Sequence, residues 1–163
     1  DEAFSARSWV WSESEDYPKS IADIDEAARL APRSFIYEAN RCSLRLIAGI
    51  DLEGATAGCD VALELEPRDP DMLSARGVIL LRLERFDAAA ADFGACVDDQ
   101  LAKLEADRDE LDYAFCLYGR SLTTLKTPGS ETASRETALK SLTEAAELRP
   151  DVPETYAGYG LTP

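Results

Sequence analysis

Four cysteines, several neighbouring carboxylates and no histidine set the chemistry open to this chain. Cys42, Cys59, Cys96 and Cys116 are spaced by 17, 37 and 20 residues, so none shows the short gap of a CxxC metal or redox motif. Without histidine a thiolate has no imidazole to activate it, and imidazole acid–base catalysis and most zinc sites fall away together. Neighbouring acids occur as Glu13, Glu15 and Asp16, and again as Asp98 and Asp99. Two carboxylates do acid–base work when an apolar pocket holds one of them protonated, whereas these sit in turns or on polar faces. A calcium loop alternates acids about a central glycine, but the acid-rich run "DDQLAKLEADRDELD" (98–112) has helical spacing and no glycine. The expectation is a non-enzymatic chain with no catalytic residue, no metal site and no cofactor.

Composition narrows the class further. Seventeen Lys and Arg stand against 32 Asp and Glu, a net charge of −15, while 45% of the residues are hydrophobic. That is enough apolar material for a folded domain of 163 residues. The charge disfavours nucleic acid and anionic membrane surfaces, both of which select basic patches. Apolar runs fall far short of the ~20 residues that cross a bilayer, so no membrane insertion is expected. The acidity is uneven: residues 98–112 carry seven acids and two bases, residues 113–163 six acids and five bases. Arginine outnumbers lysine, of which there are four, a usage associated with GC-rich bacterial genomes. The chain begins at Asp1 and shows no signal or transit segment. It is expected to be a processed form or an excised domain, either cytoplasmic or exported after signal removal.

The elements that position these side chains are helices. Apolar residues recur at intervals of three and four, as in Ile21, Ile24, Ala27, Ala28 and Leu30, or Leu139, Leu142, Ala145, Ala146 and Leu148. No segment alternates with period two over strand length. A longer period lies above this one. "SIADIDEAARLAP" (20–32) returns as "ATAGCDVALELEP" (55–67) and as "ALKSLTEAAELRP" (138–150). Pro32 and Pro67 are 35 residues apart, and Pro67 and Pro150 are 83 apart. The 83 residues hold two further units plus insertions in 98–112 and in "TPGSETAS" (127–134).

This pattern resembles the tetratricopeptide repeat, a helix–turn–helix unit of about 34 residues. Gly77, Leu80, Phe86, Ala89, Phe93 and Cys96 occupy its slots in the third unit. Phe4, Ser8, Trp11, Tyr17, Ser20, Ile24, Ala27 and Pro32 occupy them in the first. Cys42, Ala55, Cys59, Ala62 and Pro67 do so in the second, and Gly119, Leu122, Leu125, Ala138, Leu142, Ala145 and Pro150 in the fourth. The resemblance implies an all-α superhelix, a single solenoid domain of four repeats (approximately 1–34, 35–68, 69–105 and 109–150) with a cap over 151–161. Small residues are required where paired helices cross, Pro stops the second helix of a unit, and stacking buries faces that one unit cannot bury alone. Trp11, Ile24 and Ala27 are expected in the core. A helix break is expected near Asp107–Asp109, where an Asp can cap the next helix.

The resemblance also implies function. Cysteines in small slots read first as buried thiols, and Cys42 and Cys59 fall on facing helices that an exported protein could bridge. The first helices of the units would line a groove for an extended peptide or partner helix. Ser5, Trp9 and Ser12 are expected there from the first unit, and Ile36, Ala39, Asn40, Ser43 and Ile47 from the second. Ser74, Val78 and Arg82 come from the third, and Tyr113, Cys116, Arg120 and Thr124 from the fourth. Repeats that clamp the carboxylate terminus of heat-shock chaperones carry Lys and Asn, then Asn, then Lys and Arg. Here Ser5 and Trp9, then Asn40, then Asp71 and Ala75 occupy those places, which argues against that clamp. The expected partner is a protein or peptide. The alternative is an accessory domain of a larger enzyme or exported assembly. Weak self-association through the C-terminal helix (Tyr156–Leu161) is a further expectation.

Overall fold

The computed structural model describes residues 1–103 and 107–163, and among these every regular element is a helix. In chain order they are α1 (Glu2–Glu13), α2 (Tyr17–Leu30), α3 (Phe35–Ala48), α4 (Leu52–Leu65), α5 (Pro70–Arg82), α6 (Phe86–Ala102), α7 (Glu110–Lys126), α8 (Thr132–Leu148) and α9 (Val152–Gly158). Helices pack on their sequence neighbours, α1 on α2, α2 on α3, α3 on α4, α6 on α7 and α7 on α8. This is the all-α helical-repeat architecture that the spacing predicts. The chain forms two compact units, Asp1–Arg76 and Gly77–Pro163.

Local chemistry sets the helix ends. Asp16, Asp51, Asp69 and Asp109 each accept a backbone N–H from the first turn of the helix that follows, with Asp109 serving both Leu111 (2.8 Å) and Asp112 (3.1 Å). These side chains satisfy donors that a helix start leaves orphaned. The turns between paired helices are left-handed at matching positions: Glu15 (φ 57°), Gly49 (φ 66°), Glu84 (φ 58°) and Gly129 (φ 78°). At the first three, the next residue's N–H returns to a carbonyl five residues back, Asp16 to Trp11, Ile50 to Arg45 and Arg85 to Leu80. Such turns close off the last exposed carbonyls of a helix. Gly160 (φ 75°) repeats the geometry after α9, with Leu161 bonding to the Tyr156 carbonyl.

Helix α6 ends at Ala102, earlier than the expected break, while the Asp cap of α7 falls within the expected Asp107–Asp109. Gln100 is fully buried and organises the break, its amide donating to Asp112 (3.2 Å) and accepting the Asp109 N–H (3.2 Å). The Arg108 guanidinium donates to the Gln100 carbonyl (3.2 Å) and lies over the Tyr113 ring. Leu104, part of the expected helical rhythm, lies outside the described residues.

In the first unit, Ser8 and Ser20 exchange hydroxyl-to-carbonyl bonds of 2.9 and 2.8 Å across the α1–α2 crossing. Ile24 and Ala27 are fully buried, whereas Trp11 is only half-buried, its ring stacked under the Lys19 ammonium. Cys42 on α3 is bridged to Cys59 on α4, with Cα atoms 5.1 Å apart. In the second unit Cys96 on α6 is bridged to Cys116 on α7, with Cα atoms 6.1 Å apart. The expectation of buried free thiols is therefore corrected: the slots that let helices approach closely also bring the sulfurs within bonding reach. Each bridge closes a loop for which a chain-entropy account gives about 3 kcal/mol of stabilisation.

Gly77 lies against Phe93; a Cβ there would meet the ring at 2.8 Å. Gly119 is covered by the same ring and by the Tyr156 hydroxyl. Tyr156, fully buried on α9, donates to the Phe115 carbonyl (3.0 Å) and packs on Phe115 and Tyr118 with centroids 4.6 and 4.9 Å away. Val152 and Leu161 are buried with it, so the apolar side of the C-terminal helix, expected to mediate self-association, is turned into its own unit.

Gly77→Ala should lower the unfolding free energy by about 1 kcal/mol or more, because the buried Phe93 ring must move. Gly94→Ala, with nothing within 4 Å of its Cβ, should raise it by about 0.5–1 kcal/mol through backbone entropy. Denaturant titration followed by circular dichroism checks the pair; equal effects would refute the close crossing. Burial, reinforced by Tyr159 and Tyr118, raises the Tyr156 phenol well above the usual tyrosine value. An unfolded tyrosine ionises first, so this stability is whole below about pH 10 and is lost as pH rises beyond it. Melting temperature should fall more steeply above about pH 10 in the wild type than in Tyr156→Phe. Parallel curves would contradict this.

Candidate functional site

Rotation of α3 is fixed by ions on its inner side. Arg41 and Arg45, one turn apart, both reach Asp25 on α2 (3.0 and 2.7 Å); Arg41 also pairs with buried Glu38 (2.8 Å) and Arg45 with Asp51 (3.1 Å). Burial works against the Arg45 charge, but Asp25 and Asp51 outweigh it and hold the guanidinium above its ordinary pKa. The Gly54 N–H first, and then Arg45, hold Asp51 below the usual carboxylate range. On α1, Arg7 grips the mostly buried Asp23 of α2 through two bonds of 2.6 Å, and that bond lowers the Asp23 pKa. These pairs anchor α1 and α3 to α2 and leave their other faces open.

The open faces meet in a cleft of about 370 Å³, walled by Ser5, Ala6, Trp9 and Ser12 of α1 and by Asn40 and Leu44 of α3, with Ser8 at its floor. Trp9 is 65% exposed. Ser12 donates to the Trp9 carbonyl (2.8 Å). The exposed Asn40 amide makes no hydrogen bond among the described residues. On α3, Ile36 (64% exposed) stands one turn before Asn40 and Ile47 (55% exposed) two turns after it. Ala39, Ser43 and Ser74 are half-buried. Of the sequence-nominated residues of the first two repeats, Ser5, Trp9, Ser12 and Asn40 line this one cleft.

The later repeats differ. Val78 is fully buried and cannot face a groove, and Cys116 is fully buried in its disulfide. Extending one helical face with a fixed step places both on the surface, whereas in the fold these positions of α5 and α7 face inward. Tyr113 is engaged internally, donating to Glu144 of α8 (3.2 Å); burial, followed by the Glu144 charge, raises its pKa. Arg120 and Thr124 line a shallow cleft of about 450 Å³ between α7 and α8 with Ser134, Thr137 and Ser141. Arg82 lines a different one with Lys126 and Tyr159.

Asp16 is bonded by Lys19 (2.6 Å), which lowers its pKa. Among the described residues no group of three or more His, Cys, Asp or Glu is placed to hold a metal, and no helix is long and apolar enough to cross a membrane. Sequence reasoning missed the Cys96–Cys116 bridge, which joins helices of successive hairpins, and the arginine–aspartate pairs. The sequence does hold a trace of the latter, in arginines 16 or 20 residues from an aspartate on the neighbouring helix. No protein-family model matches the chain, and comparison with curated proteins gives no match.

Proposed function

We propose that the protein is a non-enzymatic interaction scaffold of the tetratricopeptide type, which binds a peptide or partner segment in the α1–α3 cleft. The observation that carries this reading is the Asn40 amide, unpaired among the described residues, beside the exposed Trp9 ring in a cleft floored by a closed helix crossing. A side-chain amide offers both a donor and an acceptor, which matches the backbone of an extended peptide. Exposed tryptophan is the residue type most often found dominating binding energy. Ile36 and Ile47 extend the apolar surface along α3. The two disulfides favour an oxidising compartment, since such bridges persist poorly in a reducing cytosol.

Crosslinking from Ser12, replaced by a photoreactive residue, should capture a polypeptide in the native source. With that partner purified, Trp9→Ala should weaken binding by about tenfold or more, and Asn40→Ala by about fivefold. Arg120→Glu, in the second unit, should matter less than either. Unchanged affinity in both cleft variants would refute the assignment.

A further inference from the structure

We propose that the segment bound in the α1–α3 cleft is cationic: it places an apolar side chain beside Trp9 and a lysine or arginine at the C-terminal end of α1. The inference rests on the cleft being a peptide site, and it names the chemistry of the partner. Residues 1–76 carry sixteen acids and eight bases. The bases are already occupied. Arg7, Lys19, Arg29, Arg41, Arg45 and Arg76 are in ion pairs and Arg68 is engaged, which leaves Arg33 as the exception among the described residues. The charge left over on this unit is therefore acidic.

Part of that surplus stands beside the cleft. Glu13 lies four residues after Trp9, on the same side of α1 and directly after the cleft residue Ser12. Glu15 follows in the left-handed turn. Both are exposed, and neither has an ionic partner among the described residues, whereas the adjacent Asp16 is held by Lys19. The last turn of α1 contains no basic residue. Its carbonyl end adds the negative pole of the helix to two carboxylates; the Asp16 N–H and the Ser14 hydroxyl bond the Trp11 carbonyl, and the Lys19 ammonium over Trp11 is held by Asp16. The start of α3 is different, because the exposed residue just before it, Arg33, is basic. Charge complementarity thus sets the cation at the Glu13 end, within one side chain's reach of an apolar group lodged against Trp9.

The test uses the whole chain and three pools of degenerate decapeptides, each alternating Leu, Ile or Phe with a second position that is Lys, Ser or Glu. At low salt the Lys pool should bind about fivefold more tightly than the Ser pool, with the Glu pool weakest. The preference should vanish at about 0.5 M sodium chloride. Glu13→Lys with Glu15→Lys, both on exposed positions, should reverse the order so that the Glu pool binds best. A Lys preference that survives this double change would overturn the proposal, because the cation would then sit elsewhere. Equal binding of the Ser and Lys pools, abolished by Trp9→Ala, would overturn the proposal while leaving the peptide site intact. Binding of every pool unaffected by Trp9→Ala would overturn both.

Discussion

The helices depend on points where two of them approach closely enough for a single side-chain position to decide the contact. Positions 8, 42 and 77 are that point on the first helix of the first three hairpins, and position 119 is the matching place on α7, where the close neighbours are Phe93 of α6 and Tyr156 of α9. They are occupied by Ser, Cys, Gly and Gly, and the contact is closed differently each time. Ser8 and Ser20 exchange hydroxyl bonds, and Cys42 is covalently joined to Cys59. Gly77 admits the Phe93 ring, while Gly119 admits that ring and the Tyr156 hydroxyl. Gly58 adds a backbone contact, since a Cβ there would stand 3.0 Å from the Cys42 nitrogen and the Glu38 carbonyl. A residue larger than these separates the helices and with them the apolar seams on either side.

The candidate site follows from that constraint. Closing α1 on α2 through the two serines leaves Trp9, next in sequence to Ser8, pointing outward. Bridging α3 to α4 and pairing Arg41 and Arg45 with Asp25 turns Asn40 and Leu44 toward α1. The cleft is thus built on rigid, doubly anchored helices rather than on loops, which suits a binding surface that must keep its shape. It presents an aromatic face, an amide and several hydroxyls.

Much of the architecture was legible in the sequence because the two periods are strong. The three-and-four spacing gives the helices, and the recurrence of small residues and prolines gives the hairpins. An aspartate cap within Asp107–Asp109 was readable, and Asp109 provides it. The site was legible only where the helix rotation agrees with the generic pattern. Trp9 and Asn40 come together as expected, but Val78 and Cys116 were assigned to the surface by extrapolation and are buried. Helix rotation is decided by side chains on neighbouring helices, such as Phe93 against Gly77, which no single helix's pattern contains. The disulfides were half legible: Cys42 and Cys59 face each other within one hairpin, while Cys96 and Cys116 meet only because α6 and α7 pack across the acidic segment.

The close crossings have a covalent readout. Protein folded in an oxidising buffer, digested without reduction and mapped by mass spectrometry, should yield two cross-linked peptides, one joining Cys42 to Cys59 and the other Cys96 to Cys116. Any other pairing, or four free thiols under those conditions, would contradict the packing on which both the hairpins and the cleft rest.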